Sequence, residues 1–244
     1  MAEDRAALIT GGSSGIGLAI ARTLGQEGYR LTVSARRPEK LEEAAQGLRD
    51  EGFEVHSVPA NMLDEDAIKQ VVESHRERFG RLDVLINNAG LGIAGPIEEH
   101  ETKKLDMQLG VNLRAVYLTL RECIPMLKEA GHEHRKALVV NTASIAGKSG
   151  QGMLAVYSAT KFAVVGLSQA AHKELSSDGI QVTAIAPGFV ATPMTDWVED
   201  QIPKEEMIQP DDIAEGVKFL LRTSPWCIVP EIMFIRPGEG LDGA

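Results

Sequence analysis

Two side chains of the sequence, Tyr157 and Lys161, have the types and the spacing needed for proton transfer. A phenol is a poor acid at neutral pH, with an unperturbed pKa of about 10. A cation four residues away lies one helical turn along the same face of a helix, where it favours the phenolate. Ser144 offers a hydroxyl that can hold a substrate oxygen. The three residues predict an acid–base site, although a Tyr and a Lys also share a helix by chance.

The composition limits the partners of the chain. Its 244 residues include 25 Lys+Arg and 35 Asp+Glu, a formal net charge of −10. This charge argues against a nucleic-acid or anionic-membrane surface, which needs clustered positive charge. Cys123 and Cys227 are the only cysteines, so we expect neither a disulfide framework nor a metal site. Because the sequence has no signal-peptide pattern and no apolar run of about 18 residues, we expect a cytoplasmic protein.

Short apolar runs alternate with segments of helical period along the chain. Strands that are apolar on both faces and separated by helices are typical of a parallel sheet covered on both sides. The sequence therefore predicts an α/β fold, with a Rossmann-like doubly wound sheet, in one domain over 1–244. The predicted strands are 6–9, 30–34, 54–58, 84–86, 137–140 and 181–185. The two longest predicted helices are 101–129 and 157–176.

A glycine-rich loop directly follows the first predicted strand and opens a helix. Glycine permits a tight turn and lets backbone N–H groups approach a pyrophosphate at the positive end of the helix. The G-x-x-x-G-x-G spacing differs from the G-x-G-x-x-G form, and many strand-to-helix turns use glycine for geometry alone. Its position at the first βα junction predicts a dinucleotide site in the half of the chain at about 1–140. The loop residues expected to bind the cofactor are Gly11, Ser13, Ser14, Gly15, Ile16 and Gly17.

The end of the second predicted strand distinguishes between the two nicotinamide cofactors. An NAD-binding protein usually has an acidic residue about 20 residues after the loop, which binds the ribose 2′-hydroxyl. This chain instead reads Ser-Ala-Arg-Arg over 34–37, without a carboxylate. Arg36 and Arg37 can form charge-assisted bonds to a 2′-phosphate, although a solvated surface pair would look the same. The sequence predicts NADP(H) in preference to NAD(H).

With these motifs, the chain resembles the short-chain dehydrogenase/reductase family over nearly its whole length. The order and the spacing of the motifs both match. The matching positions are the loop over 10–17, Asn-Asn-Ala-Gly over 87–90, Asn112, Ser144, Tyr157 with Lys161, and Pro-Gly-Phe-Val-Ala-Thr over 187–192.

The resemblance implies roles for four catalytic residues. Tyr157 would be the general acid in reduction and the general base in oxidation. Lys161 would lower the pKa of that phenol and hold the ribose hydroxyls next to the nicotinamide. Ser144 would hydrogen-bond the substrate oxygen, and Asn112, within the long helix, would help to carry a water-linked proton relay to Lys161. The cofactor supplies the hydride, while the protein supplies position and electrostatics.

The resemblance also implies further cofactor contacts. Asn88, Ala89 and Gly90 would line the adenine-ribose side, and the 187–192 stretch would hold the nicotinamide carboxamide. The family commonly has an Asp after the third strand, where this chain has Asn61, whose amide can still accept a bond from adenine. These expected contacts are Asn61, Met62, Asn88, Ala89, Gly90, Pro187, Gly188, Val190 and Thr192, together with Tyr157 and Lys161.

Two later segments lie in the catalytic half, at about 141–244. The polar, acidic segment 192–209 interrupts the alternation and is expected to cross the carboxyl edge of the sheet as a substrate loop. Pro230 predicts an edge position or an irregular start for the last strand. The C-terminus also lacks the Gly-Gly ending of many relatives, which argues against close kinship with the ketoacyl reductases of fatty-acid synthesis.

The leading hypothesis is an NADP(H)-dependent oxidoreductase that transfers a hydride between nicotinamide and a carbonyl or secondary alcohol. The alternative is a catalytically silent NADP(H)-binding sensor or scaffold, which should have lost part of the Ser–Tyr–Lys set. An epimerase or dehydratase would need a longer substrate domain. The substrate stays open among ketones, hydroxy acids, sugar-like alcohols and acyl thioesters. Met153, Met194 and Trp197 suit an apolar group, whereas Lys148 could meet an anion or simply be solvated.

The same two long helices also predict association. Segments 101–129 and 157–176 carry apolar residues on more than one face, and only one face can cover the sheet. Similar family members pair through these helices. We therefore expect a homo-oligomer, either a tetramer or a dimer.

Overall fold

A parallel sheet of seven strands, in the order β3-β2-β1-β4-β5-β6-β7, forms the centre of the structure. The computed structural model describes residues 4–238, so the ends of the predicted domain, 1–3 and 239–244, lie outside the described residues. The strands are β1 (Ala6–Thr10), β2 (Arg30–Ala35), β3 (Val55–Pro59), β4 (Val84–Asn87), β5 (Ala137–Thr142), β6 (Ile180–Pro187) and β7 (Glu231–Phe234). The predicted α/β fold with a parallel sheet is confirmed.

Helices cover both faces of the sheet. They are α1 (Gly15–Gln26), α2 (Pro38–Asp50), α3 (Glu65–Phe79), α4 (Thr102–Leu109), α5 (Ala115–His134), α6 (Ala155–Leu175) and α7 (Pro210–Arg222). Successive strand residues point to opposite faces, so neighbouring positions serve different cores. Ile9 belongs to the core with α1, α2 and α7, whereas Leu8 belongs to the core with α3, α5 and α6. The central strands are therefore apolar without interruption.

The long helix predicted over 101–129 consists of three parts. It begins as α4, continues through a π-helical turn at Gly110–Arg114, and ends as α5, five residues later than predicted. A π-turn inserts one extra residue per turn and is common at functional sites. The residue at its centre is Asn112, which is 1% exposed.

Helix α7 was absent from the sequence prediction, although its signals are present. Pro210 occupies the first turn, and the backbone N–H of Gln209 donates to Asp212 Oδ2 at 2.8 Å. The buried residues Ile213 and Val217 follow at helical spacing. At the other end, Lys136 Nζ donates to the carbonyl oxygen of Leu220 at 2.7 Å and so caps the helix.

The C-terminal part of the sheet agrees with the prediction made from Pro230. Strand β7 begins directly after this proline and lies at the edge of the sheet, next to β6. The segment 192–209, which the sequence predicts to be a substrate loop, contains two short 3-10 turns, Pro193–Val198 and Lys204–Glu206, between β6 and α7. Among the helices of residues 4–238, none combines the length and the apolarity that a membrane crossing requires.

A buried histidine links strand β2 to helix α3. His75 is fully buried, with Nδ1 2.8 Å from Thr32 Oγ1 and Nε2 2.9 Å from the carbonyl oxygen of Arg81. Nε2 must carry the proton to donate to that carbonyl, so Nδ1 accepts from the hydroxyl in the neutral ring. Desolvation lowers the pKa of His75 from 6.5 to about 4. The unfolded chain therefore binds this proton at a higher pH than the folded protein does.

We expect the stability of the fold to decrease as the pH falls from about 6.5 towards 4. The unfolded state takes up the His75 proton in that window, which costs about 2 kcal/mol of unfolding free energy at about pH 5. Urea unfolding of the wild type at about pH 7.5 and pH 5 measures this difference. His75→Gln keeps one donor and one acceptor and should reduce the pH dependence. An unchanged pH dependence in His75→Gln would contradict the assignment.

Candidate active site

The glycine loop joins β1 to α1 at the carboxyl edge of the sheet. Gly11 and Gly15 have left-handed backbones, with φ of +68° and +52°, which favour glycine. A Cβ atom at Gly17 would lie 2.6 Å from Asn88 Nδ2. The N-terminus of α1 has no side-chain cap and no acidic residue in its first turn. No capping side chain therefore occupies its first N–H groups, which leaves them for an anion such as phosphate.

Thr10 holds the ends of β1 and β4 together where the strand order reverses. Its Oγ1 accepts the backbone N–H of Asn88 at 3.0 Å and of Ala89 at 3.1 Å. The Asn88 side chain in turn donates from Nδ2 to the carbonyl oxygen of Gly11 at 3.2 Å. Segment 88–90 thus lies against the glycine loop at the switch point, where ligands bind in open α/β sheets. The sequence analysis did not include Thr10 among the site residues.

The end of β2 carries the two arginines of the cofactor prediction. Arg36 and Arg37 are exposed, and neither guanidinium group forms a hydrogen bond or an ion pair with any residue of the range 4–238. Ser34 precedes them, and its buried Oγ has no hydrogen-bond partner among the described residues. The site therefore offers two unpaired guanidinium groups and a buried hydroxyl. These groups fit a phosphorylated ribose better than a free 2′-hydroxyl.

The two predicted contacts after β3 are in different environments. Asn61 is exposed, and its Oδ1 accepts the backbone N–H of Leu63 at 3.2 Å. Met62 is 7% exposed, and its side chain belongs to the core with α3 and α5. Only the backbone of Met62 is therefore available to a ligand, whereas the Asn61 amide can still contribute a hydrogen bond.

The stretch after β6 returns the chain to the glycine loop. Gly188 N–H donates to the carbonyl oxygen of Phe234 at 2.8 Å, which ties the stretch to β7. Val190 is buried and pairs with Ile208 in an isolated parallel bridge. The Thr192 side chain lies against Gly15, since a Cβ atom there would be 2.8 Å from Thr192 Cγ2. The structure thus brings both ends of the predicted cofactor site together.

Tyr157 and Ser144 lie together beside this stretch. Tyr157 is in the first turn of α6, and Ser144 lies two residues after β5, directly before a short 3-10 turn. The Ser144 hydroxyl accepts the Ala146 N–H at 3.2 Å and donates to the carbonyl oxygen of Pro187 at 3.4 Å. Burial raises the pKa of Tyr157, and a side-chain hydrogen bond with Ser144 partly offsets that rise.

Lys161 lies beside the Tyr157 ring but is not among the causes that shift the pKa of this phenol, so the pKa-lowering role that the resemblance implies stays a prediction. Its Nζ lies 5.5 Å from the centroid of the Tyr157 ring and donates to the carbonyl oxygen of Thr142 at 2.7 Å. Desolvation is the largest cause of the pKa shift of both groups. The same burial lowers the pKa of Lys161 to about 8.

Asn112 connects three parts of the site through one carboxamide. Its Nδ2 donates to the carbonyl oxygen of Leu91 at 2.8 Å, and its Oδ1 accepts the Leu91 N–H at 2.8 Å. Nδ2 also donates to Thr160 Oγ1 at 3.1 Å, and that hydroxyl donates to the carbonyl oxygen of Tyr157 at 2.7 Å. The π-turn therefore holds the segment after β4 and the first turn of α6 in a fixed relation.

The segment after β4 is held by further residues that the sequence analysis missed. Gln108 is fully buried, and its Oε1 accepts the Ile93 N–H at 3.1 Å. The Gly95 N–H donates to the carbonyl oxygen of Met153 at 2.8 Å and links this segment to the one before α6. A buried Gln inside a helical pattern was the available signal. Lys148, in contrast, is paired with Glu231 at 2.9 Å and is not free to bind an anion.

Comparisons with known proteins identify relatives of this chain. The family model for short chain dehydrogenase matches residues 5–203. The chain is 34% identical over 249 residues to the 3-oxoacyl-(acyl-carrier-protein) reductase FabG of Staphylococcus aureus, which covers 98% of this chain and 99% of that protein. This degree of similarity to a ketoacyl reductase is present despite the different C-terminus.

Solved structures give the same result. An alcohol dehydrogenase from the archaeon Thermococcus sibiricus, complexed with 5-hydroxy-NADP, has a TM-score of 0.86 and 32% identity over 96% of this chain and 97% of that one. A 3-ketoacyl-(acyl-carrier-protein) reductase from Brucella melitensis, complexed with NADH, has a TM-score of 0.85 and 32% identity over 94% and 96%. The chain therefore belongs to the short-chain dehydrogenase family of oxidoreductases.

Proposed function

We propose that this protein is an NADP(H)-dependent oxidoreductase that interconverts a carbonyl compound and a secondary alcohol. The observation that carries the proposal is the convergence of Ser144, Tyr157 and Lys161 at the cleft beside the glycine loop. A bound nicotinamide supplies or takes up the hydride. The protein side chains orient the substrate and move the proton.

Tyr157 is the proton donor in reduction. Because burial raises the pKa of the phenol, it stays protonated at neutral pH and can give its proton to a substrate oxygen as negative charge develops there. The Ser144 hydroxyl, next to the phenol, donates a second hydrogen bond to the same oxygen. In alcohol oxidation the proton moves in the opposite direction, and the phenolate form of Tyr157 accepts it from the alcohol.

Lys161 acts as a fixed positive charge beneath the phenol ring. The carbonyl oxygen of Thr142 holds its ammonium, and Asn112 with Thr160 fixes the helix turn that carries Tyr157. A cation near the ring stabilises the phenolate that remains after proton transfer. In this assignment Asn112 is a positioning residue, and the ribose hydroxyls of the cofactor are additional partners for Lys161.

The cofactor assignment is based on the glycine loop and on the end of β2. The N–H groups at the start of α1 bind the pyrophosphate, and Asn88, Ala89 and Gly90 line the adenine-ribose side. Val190 and Thr192 border the nicotinamide carboxamide. The Thermococcus protein was solved with an NADP derivative and the Brucella protein with NADH, so family membership alone does not select the cofactor. Arg36 and Arg37 support NADP(H) for this chain.

We also propose a homo-oligomer that forms through α4, α5 and α6. An open groove of about 520 Å³ runs along these helices and is lined by apolar atoms of Leu109, Leu113, Tyr117 and Leu167. Tyr117 is 51% exposed and Phe162 is 46% exposed. A second copy of the chain would cover this surface, as the apolar faces of the two long helices suggest.

Tyr157→Phe should lower kcat for carbonyl reduction by about 10²- to 10⁴-fold, since it removes only the proton donor. Affinity for NADPH, measured by fluorescence titration, should be retained. Tyr29→Phe, which removes a phenol hydroxyl between α1 and β2, outside the proposed site and contact surface, is the matched control and should leave kcat unchanged. Full activity of Tyr157→Phe would contradict the proposed chemistry, while NADPH binding without turnover of any carbonyl compound would favour the sensor alternative.

Arg36→Ala should weaken NADPH binding by about 10- to 100-fold, the loss expected for one charge-assisted hydrogen bond to a phosphate. NADH binding should stay nearly the same, because NADH lacks the 2′-phosphate. Arg22→Ala, on α1, changes the net charge equally and serves as the control for long-range electrostatics. If NADPH and NADH lose the same affinity in Arg36→Ala, this residue does not bind the phosphate.

Light scattering should give a mass of two or four chains for the wild type. The double variant Leu109→Asp/Tyr117→Asp places two charges on the proposed contact surface and should shift the mass towards one chain, because burying unpaired charges is costly. A wild-type protein that is monomeric in dilute solution would exclude the proposed oligomer.

A further inference from the structure

Large apolar side chains are exposed around the entrance to the site. Ile97 is 77% exposed, Trp197 is 59% exposed, Met153 is 58% exposed and Met194 is 45% exposed. They lie on three separate segments: the one after β4, the one before α6, and the substrate loop. An exposed apolar patch that borders a cleft is typical of a ligand-binding surface.

Contacts with the catalytic residues show that these three segments border the site. A Cβ atom at Gly92 would lie 3.6 Å from Cδ2 of the Tyr157 ring. The segment before α6 leads directly into the turn that carries Tyr157, and Met153 is bonded to Gly95 across the two segments. In the third segment, the Trp197 ring packs edge-on against the Phe189 ring, with 6.4 Å between the ring centroids. Phe189 lies two residues after Pro187, whose carbonyl oxygen accepts the Ser144 hydroxyl.

Met153 has an uncommon backbone for its residue type. Its φ of +63° lies in the left-handed region, which only a few per cent of non-glycine residues adopt. The hydrogen bond from Gly95 holds this conformation. A strained residue that is kept beside a catalytic side chain is consistent with a functional requirement. Methionine adapts to irregular apolar groups, so this position suits a hydrophobic ligand.

The same segments are strongly acidic. Residues 91–101 and 192–209 together contain eight carboxylates and a single lysine. That lysine, Lys204, is paired with Asp196 at 2.7 Å and Glu199 at 3.4 Å. Glu98 and Glu99 are exposed and have no ion-pair partner among residues 4–238. Of the lysines near these segments in the sequence, Lys148 is paired with Glu231 and Lys104 with Glu101, while Lys161 lies deeper, against Tyr157. An anionic substrate would approach against this charge.

We infer that the substrate is a neutral ketone with an aromatic or alkyl substituent, in preference to a carboxylated, phosphorylated or carrier-bound compound. This inference rests on the proposed oxidoreductase function and concerns the substrate side of the same site. The apolar side chains at the entrance bind the hydrophobic substituent. The carboxylates around them exclude competing anions.

A matched pair of ketones tests the inference with the purified protein and NADPH. Acetophenone is neutral and aromatic, and 4-acetylbenzoate adds one carboxylate to the same ring. We expect kcat/KM for acetophenone to exceed that for 4-acetylbenzoate by about tenfold or more at low salt. The ratio should decrease as the salt concentration rises, because salt screens charges that are farther apart than about 10 Å.

Substitutions at the entrance separate the apolar contribution from the charge contribution. Trp197→Ala should lower kcat/KM for acetophenone about tenfold, while Trp226→Ala, an 80% exposed tryptophan at the opposite edge of the sheet, should leave it unchanged. The double variant Glu98→Lys/Glu99→Lys should raise kcat/KM for 4-acetylbenzoate about fivefold or more and change that for acetophenone little. The double variant Glu77→Lys/Glu174→Lys, on α3 and α6, changes the net charge equally and is the control.

The results distinguish failure of this inference from failure of the proposed function. Equal or faster reduction of 4-acetylbenzoate at low salt would overturn the substrate inference while leaving the oxidoreductase intact. NADPH binding without reduction of either ketone would overturn the substrate inference, and absence of turnover with every carbonyl compound would overturn the proposed function as well. If Trp226→Ala lowers kcat/KM for acetophenone as much as Trp197→Ala does, the binding role of the entrance residues is contradicted.

Discussion

A parallel sheet that is buried on both faces leaves its carboxyl edge as the place for polar chemistry, and the arrangement of this protein follows from that constraint. Strand interiors supply apolar side chains to two cores, and polar residues appear where the strands end. Thr10, Asn87 and Asn141 occupy such ends and are bonded to neighbours across the sheet or to α6. A buried polar group without a partner is costly, so these bonds also fix the relative height of the strand ends.

Burial has opposite effects on the two acid–base residues and moves their pKa values apart. The pKa of Tyr157 rises and that of Lys161 falls to about 8, since desolvation disfavours the charged form of each. The site therefore combines a phenol that keeps its proton with an ammonium that is only weakly held in its charged form. A negative charge that develops on a substrate oxygen can accept the Tyr157 proton and is attracted by the Lys161 ammonium. Such a charge arises in the proposed reduction of a carbonyl group.

The sequence was sufficient to predict the parallel sheet, the glycine loop and the grouping of Ser144, Tyr157 and Lys161 near one another. These depend on local patterns and on chain order. The direction of the Tyr157 pKa shift was not predictable, because it depends on how far tertiary packing desolvates the phenol and where it aims the Lys161 ammonium. The backbone oxygen of Thr142, which accepts a hydrogen bond from Lys161, could not be predicted either, because the residue types in a sequence do not show which backbone groups a side chain will bind. Helix α7, in contrast, had clear signals and was simply left out of the prediction.

The contact between Gly15 and Thr192 has a consequence for how the protein is made. The whole glycine loop has been synthesised once about forty residues have left the ribosome. At that stage Thr10 still lacks its partners Asn88 and Ala89, which follow 78 and 79 residues later, and Gly15 still lacks Thr192. Contacts of such long sequence separation form late, and parallel pairing is slow for the same reason. During synthesis the cofactor cleft is therefore among the last features to be completed, and chaperone protection would matter most in that interval.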